Sequence, residues 1–557
     1  MALLIPRDHD ILPHQDEVAA TTENRPTDLT QISSQQLHHE FELSQSESLN
    51  FLYNLLYDDQ SYLSKSDILR ILNSIKTREN HLPFSIDASD YDHPQSSHNS
   101  TSTYFKTDLQ GIHWPKDLRR RFFMDRSRVG KDNWFYNIPD SKSKAINQIS
   151  IDSFDINTEF FKFYKFFGKL KLHLNHLQLR NLVCCGPNIS NGIYYPSNYY
   201  HDYNLDIVHT EFNHPRSEEI DDNYHNFFKI NRLMPDNATD ISRTSSTKNT
   251  MKINCLIDSR SLLHNSNSRI STLSASDKFL VCGTFEGGYI LGDVSDANSF
   301  KMVGEYHLTN NSDGITNHIL INESDNELII SSNDKKLRII DLSTNKSNQN
   351  IDFDFPVNGS AINHFNTNEI FISGDSKHSY IIDKRLSATT NQNFQKFIGH
   401  EDFGFCCDWS SQDENLLLTG NQDTCVKLWD RRNSSKSLYT WSGSLGSNCS
   451  TSGGPVRNCK FSHNGEFISW AEGLDHVGIL QLNDLMTLNS DEKDEQPELS
   501  RIQSIDFIGK CTALSFSPIE NGYGEQLIIG VDDCPLGGIL SYKLESKQKP
   551  LDFDFYF

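Results

Sequence analysis

The sequence predicts an all-β propeller, a ring of small antiparallel sheets, and three observations carry that prediction. The stretch Gly399 to Asp430 contains two strand-like runs, Gly404 to Trp409 and Asn415 to Thr419, then a polar turn at Asn421 to Thr424 and a third run ending at Trp429, the pattern of a small meander. Similar paired runs recur upstream, and their closing aspartates fall at 293, 341, 383 and 430, intervals of 48, 42 and 47 residues. A single such sheet cannot bury both of its faces, so it needs neighbours of the same length.

Taken in order, the paired runs are Phe279 to Thr284 with Tyr289 to Asp293, Leu328 to Ser332 with Leu337 to Asp341, and Ile370 to Gly374 with Ser379 to Asp383. The unit ending at Trp429 follows, then Val456 to Leu482 and Thr512 to Leu544, which makes six legible blades. A seventh is expected near Lys169 to Tyr195, where Leu179-Arg-Asn-Leu-Val-Cys-Cys-Gly precedes Gly192-Ile-Tyr-Tyr. The Gly399-His400 opening and Trp429-Asp430 ending resemble a WD40 repeat, one blade of a β-propeller. In that resemblance His400, Thr419, Asp423 and Trp429 correspond to a structural tetrad of hydrogen-bonded side chains, because a buried indole N–H and a buried carboxylate both require partners.

Composition bounds the function. The chain has 557 residues with Lys+Arg 51 against Asp+Glu 74, a formal charge of −23, which disfavours general binding to nucleic acid or an anionic membrane. No apolar run approaches the length of a membrane span. Eleven cysteines, including the neighbours Cys184-Cys185 and Cys406-Cys407, show no CxxC spacing and read as thiols in a reducing compartment, with no metal site and no cofactor expected. The location implied is cytoplasmic or nuclear.

The domain plan begins with a polar extension, residues 1–104, expected to be partly disordered. Within it, Leu49, Leu52, Tyr53 and Leu56, and then Ile68, Ile71, Leu72 and Ile75, have helical spacing, predicting a helical hairpin near 46–78. Residues 105–157 interleave Arg119, Arg120, Arg121, Arg126 and Arg128 with Trp114, Phe122, Phe123, Trp134, Phe135 and Tyr136. That mixture suits either packing on an acidic propeller or stacking on a single-stranded nucleic acid, and the chain's charge favours packing. The propeller is expected over 158–547, with polar insertions near 213–250 and 485–500. The basic-aromatic segment together with the repeats resembles a family of fungal WD-repeat proteins of mostly unassigned function.

The tail, residues 548–557, alternates Leu551, Phe553, Phe555 and Phe557 with Asp552, Asp554 and Tyr556. It either supplies the outer strand of the last blade or projects aromatic anchors, chiefly Phe553, Phe555, Tyr556 and Phe557, into a partner's groove. The substrate receptors of the GID (CTLH-type) ubiquitin ligase end in a short acidic-aromatic tail that docks on a helical-repeat scaffold subunit, and the tail here is similar. The resemblance implies a substrate-recognition subunit: tail on the ligase scaffold, substrate polypeptide on the propeller.

Phosphate-binding, nucleophile-elbow and HExxH motifs are absent, so the expected class is a non-catalytic interaction protein. The alternative is a general scaffold of a trafficking, RNA-processing or signalling complex. Finally, each legible turn between second and third runs carries an acid: Glu286, Asp334, Asp375, Asp423, Asp475, and Asp532 with Asp533. Equivalent turns share one face of a propeller, which predicts a negative substrate-binding rim there. A peptide's N-terminal amine, the group that GID-type receptors read, would suit it.

Overall fold

The computed structural model describes residues 136–545 with breaks, the longest at 199–227, 236–250, 444–453 and 488–500, and the pieces 40–42, 81–83, 85–88 and 108–111. The helical hairpin, most of the basic-aromatic segment, Asp475 and the tail residues Phe553, Phe555, Tyr556 and Phe557 lie outside the described residues.

Seven antiparallel sheets form the ring. Blade 1 comprises Cys184–Cys185, Ile193–Asn198, Phe228–Pro235 and Met251–Asp258, and blade 2 comprises Ile270–Ala275, Phe279–Thr284, Gly288–Asp293 and Lys301–His307. Blade 3 is Thr316–Asn322, Glu327–Ser332, Lys336–Asp341 and Lys346–Asp352, and blade 4 is Val357–Ile362, Glu369–Gly374, Ser379–Asp383 and Gln395–Phe397. Blade 5 is Gly404–Trp409, Leu416–Asn421, Cys425–Asp430 and Tyr439–Ser442; blade 6 is Val456–Phe461, Phe467–Glu472, His476–Gln481 and Ile502–Asp506. Blade 7 takes Lys510–Pro518, Gly524–Asp532 and Gly538–Glu545 from the end of the chain. The first strands of consecutive blades touch in a closed circuit around the channel. The fold is therefore a WD40-like seven-bladed β-propeller.

Middle strands of a blade are covered on both faces by neighbouring blades, so they are apolar runs without alternation. Leu328, Ile329 and Ile330 are all fully buried for this reason. The turn between second and third strands needs a left-handed residue, supplied by Gly287 in blade 2, Lys335 in blade 3 and Thr424 in blade 5, with φ of 76°, 67° and 71°. At Lys335 and Thr424 the surrounding turn imposes a conformation that glycine adopts more cheaply.

Ring closure comes from the start of the propeller. Lys162–Gly168 pairs antiparallel with Gly538–Glu545, setting Phe166 opposite Leu540 and Lys162 opposite Lys543, and Ser85–Asp87 adds a fifth strand outside it. The outer position of blade 7, one of the two places considered for the aromatic tail, is thus already filled.

Two expectations are corrected here. The seventh blade does include the runs expected near Lys169 to Tyr195, at Cys184–Cys185 and Ile193–Asn198, but it extends further, to Asp258. Its third strand, Phe228–Pro235, falls inside the stretch expected as a loop insertion. Phe228, Ile230 and Leu233 are buried, but long polar flanks mask so short a run in the sequence. The second expected insertion opens with a helical turn, Leu482–Thr487, whose Leu485 is buried and whose backbone carbonyl accepts from the Tyr439 hydroxyl at 2.7 Å.

The described residues of 136–161 strap the ring. Ser141 Oγ donates to Asp402 at 2.7 Å, and Gln148 donates from Nε2 to Glu401 at 2.7 Å while its Oε1 accepts from the buried Lys427 ammonium at 3.0 Å. Ser150 exchanges hydrogen bonds with Thr440 on the outer strand of blade 5. Ile151 packs into the cluster shared by blades 5 and 6, and the backbone N–H groups of Phe160 and Phe161 both donate to Gln503 on the outer strand of blade 6. The strap covers edge groups that would otherwise be open to strand addition.

Candidate functional site: the upper face and channel mouth

We call upper the face that carries the second-to-third-strand turns and the loops leading into each first strand. In blade 5, His400 lies in such a loop and Asp423 in such a turn. His400 Nδ1 is 2.9 Å from Asp423, His400 Nε2 is 2.7 Å from Thr419 Oγ1, and Trp429 Nε1–H donates to Thr419 Oγ1 at 2.8 Å. The indole can only donate, which orders the chain: Trp429 to Thr419, Thr419 to His400, His400 to Asp423. All four side chains are buried. Burial lowers the His400 pKa more than Asp423 raises it, so the ring is neutral. Burial works against the Asp423 charge, but His400 and the backbone N–H groups of Glu401 and Cys425 outweigh it, and the carboxyl stays below its usual range.

Other turn acids have different neighbours. The Asp334 side chain is 3% exposed and paired with Arg338, the residue in the register position of Lys427. Although burial opposes its charge, the guanidinium holds the carboxyl below its ordinary value. Asp375 is half-buried and accepts from Asn358 Nδ2 at 2.9 Å; burial first, and then the charges of Asp313 and Asp402, push it up against that bond. Asp402 is fully buried and also raised, chiefly by burial, despite Ser141 and two backbone N–H donors. Glu286 is half-buried and raised by burial. Asp532 ends the second strand of blade 7, and Asp533 accepts from the Leu536 N–H at 3.1 Å.

Sequence reasoning missed the mouth itself. In six blades a residue near the start of the first strand is an extra residue that shifts the register: Ser271, Asn317, Asn358, Phe405 and Arg457 at the second position, and Thr512 at the third. Such bulges re-aim a side chain. Here Ser271 donates to the Thr316 carbonyl at 2.5 Å, Asn317 to the Val357 carbonyl at 2.9 Å, and Asn358 to the Gly404 carbonyl at 2.8 Å. Each therefore reaches the opening residue of the next blade's first strand. Phe405 has no donor to continue the series, and the Arg457 guanidinium stacks on its ring at 4.2 Å. Below this layer Asn181 forms backbone bridges to both Thr272 and Ala513 and accepts from Asn458 Nδ2 at 3.2 Å. The residual cavity beside it is small and polar, lined also by His318 and Lys460. Burial, then the Lys460 charge, lowers His318 to about 3, so it is neutral. The signal that could have revealed this layer is a polar residue near the start of the first strand in five of the six blades, Ser271, Asn317, Asn358, Arg457 and Thr512.

Cys406 and Cys407 are buried, and their thiols donate to the carbonyls of Gly420 and Phe371, each at 3.6 Å. Cys184 and Cys185 are half-buried. Among the described residues no group of His, Cys, Asp and Glu could hold a metal ion, and no helix is long and apolar enough to cross a membrane.

The fold and face are those of a WD40-like propeller. No protein-family model matches the chain. It is 35% identical over 72 residues to the ribosome biogenesis protein YTM1 of Candida albicans, which is 13% of this chain and 15% of that protein. The protein of the same name from Debaryomyces hansenii is 36% identical over 75 residues, 13% of this chain and 16% of that one. The chain thus spans about a sixth of the curated relatives it matches. A solved chain from the mitotic checkpoint complex is similar at 12% identity and a TM-score of 0.46, covering 70% of this chain and 97% of that one.

Proposed function

We propose that this chain is a non-catalytic recognition subunit whose upper face takes a positively charged group of a polypeptide at Asp375. The contrast among the turn acids carries this reading. Asp334 has a guanidinium partner and Asp423 has an imidazole and two N–H donors. Asp375 has a neutral carboxamide as its side-chain partner, and burial, the first cause of its raised pKa, is a cost that a cation brought against it would offset. It is half-buried and so within reach of a ligand. A peptide's N-terminal amine is such a cation.

In its specific form the proposal is a substrate receptor of a GID-type ubiquitin ligase. Substrate N-termini meet the propeller, and Phe553, Phe555, Tyr556 and Phe557 dock on the ligase's scaffold subunit. Support for the tail's role comes from blade 7, where Lys162–Gly168 holds the outer position that the tail would otherwise complete. A second reading, a scaffold in an RNA-processing assembly and hence a nuclear location, is favoured by the partial similarity to ribosome biogenesis proteins.

Pull-down with the intact chain and with Phe553, Phe555 and Phe557 replaced by Ala separates the two. Loss of ubiquitin-ligase subunits from the variant supports the first; ribosome-precursor proteins retained by both, with no ligase subunit in either, would replace it by the second. Peptides with free and acetylated N-termini test the upper face, and Asp375→Asn should weaken the free form selectively.

A further inference from the structure

We propose that residues Asp108 to Gly111 are an intramolecular ligand, and that the cleft they occupy on the upper face of blade 7 is a binding slot for a turn bearing an apolar residue followed by glutamine. The four residues form a closed turn: Gly111 N–H donates to the Asp108 carbonyl at 3.0 Å, and Gln110 N–H donates to the Asp108 carboxylate at 2.9 Å. Gly111, at φ 88°, provides the left-handed residue that the turn requires. Asp108, Leu109 and Gln110 are 6%, 4% and 3% exposed, a degree of burial normal for a core and unusual for an isolated surface turn.

The contacts are those of a docked ligand. Leu109 enters the apolar cluster that contains Phe507, Val531 and Leu540. The Gln110 carboxamide donates to the Ile508 carbonyl at 2.8 Å and the Leu536 carbonyl at 2.9 Å, and accepts from the Ile508 N–H at 2.6 Å. Its donors and its acceptor are matched as a peptide group in a sheet would be.

Position explains why such a ligand is needed. Ile508 lies in the loop leading into the first strand of blade 7, and Leu536 in the turn between its second and third strands. In blade 5 the equivalent loop and turn are tied by His400 and Asp423. Counted back from the register shift, blade 7 has Asp506-Phe507-Ile508 where blade 5 has Gly399-His400-Glu401, so no loop histidine is present, and Gln110 joins the two elements from 398 residues away in sequence. The slot lies on blade 7 and does not involve Asp375, so it stands or falls apart from the proposed peptide site.

A tethered ligand competes at an effective concentration on the order of millimolar, so the intact chain should exclude the same sequence added in trans. The test uses the full chain carrying Leu109→Ala and Gln110→Ala, and a labelled peptide of residues 105–114. The double variant should bind that peptide at least tenfold more tightly than the unaltered chain does, and a peptide with Ala at both positions should not bind. Should the double variant not fold, Gln110→Asn, one methylene shorter, takes its place. In that single variant the Ile508 amide should exchange with solvent at least tenfold faster while the Cys425 amide is unchanged. The proposal is overturned if the variant used binds the peptide no better than the unaltered chain, or if Ile508 exchange is unaltered by Gln110→Asn.

Discussion

Arg338 donates from Nη1 to the Asp334 carboxylate at 3.0 Å and from Nη2 to its second oxygen, so that one blade's turn is fastened by an ion pair where blade 5 uses a neutral imidazole. Both side chains are almost wholly enclosed, at 6% and 3% exposure. Removing one member of a buried pair strands the other charge, at a cost of about 3–5 kcal/mol. Asp334→Asn should therefore destabilise the propeller by that order in urea denaturation. Asp375→Asn should cost far less, because burial already disfavours that charge.

Trp429 separates packing from hydrogen bonding. Trp429→Ala removes a ring packed against Phe397 at 5.6 Å and should cost about 3–5 kcal/mol. Trp429→Phe keeps most of the ring and loses only the bond to Thr419, which should cost about 1–2 kcal/mol. Equal losses in thermal melts of the two variants would refute that division.

Glu525 gives the ring a pH dependence. Only 3% exposed, it accepts from the His463 N–H of blade 6, and its Oε2 has no hydrogen-bond partner. Burial, with a smaller contribution from the Glu466 charge, raises it to about 7 from an ordinary 4.5, against the N–H groups of His463 and Asn464. The folded state therefore holds this proton more tightly than the unfolded chain does. The contribution is fully present below pH 4.5 and is lost as pH rises through 7, a swing of about 3 kcal/mol at most. Glu525→Gln should raise the melting temperature at pH 8 more than at pH 5. An equal change at both would place the titration elsewhere.

Asn358 tests the mouth. Its Nδ2 serves both Asp375 and the Gly404 carbonyl, and Asn358→Ala leaves a buried carbonyl without this donor, at a cost of about 1–3 kcal/mol. Asn358→Asp should be worse, since it sets a second carboxylate against Asp375. Hydrogen exchange across blades 4 and 5 would report either loss.

The tetrad was legible because His400, Thr419, Asp423 and Trp429 fall at the positions that the resemblance to a WD40 repeat implies, all within one unit, and hydrogen bonds join them. The Asp334–Arg338 pair was equally local, four residues apart, but was read only as a turn acid. Phe228–Pro235 escaped because its apolar positions are few and its polar flanks long. Gln110 and Lys162–Gly168 escaped for another reason: their partners lie nearly four hundred residues away, and no periodicity encodes so distant a pairing.

The pairing of Lys162 with Lys543 also sets a timetable. A strand made early must wait while 381 further residues are synthesised, the difference between those positions, which at roughly 5–20 residues per second takes about 20–80 s. Throughout that interval its backbone N–H and C=O groups on the side destined for Gly538–Glu545 lack that partner, and Phe166 and Phe167 lack Leu540 and Ile539, the residues set opposite them. A nascent chain stopped anywhere before blade 7 therefore carries a half-satisfied strand edge, open to pairing with another chain.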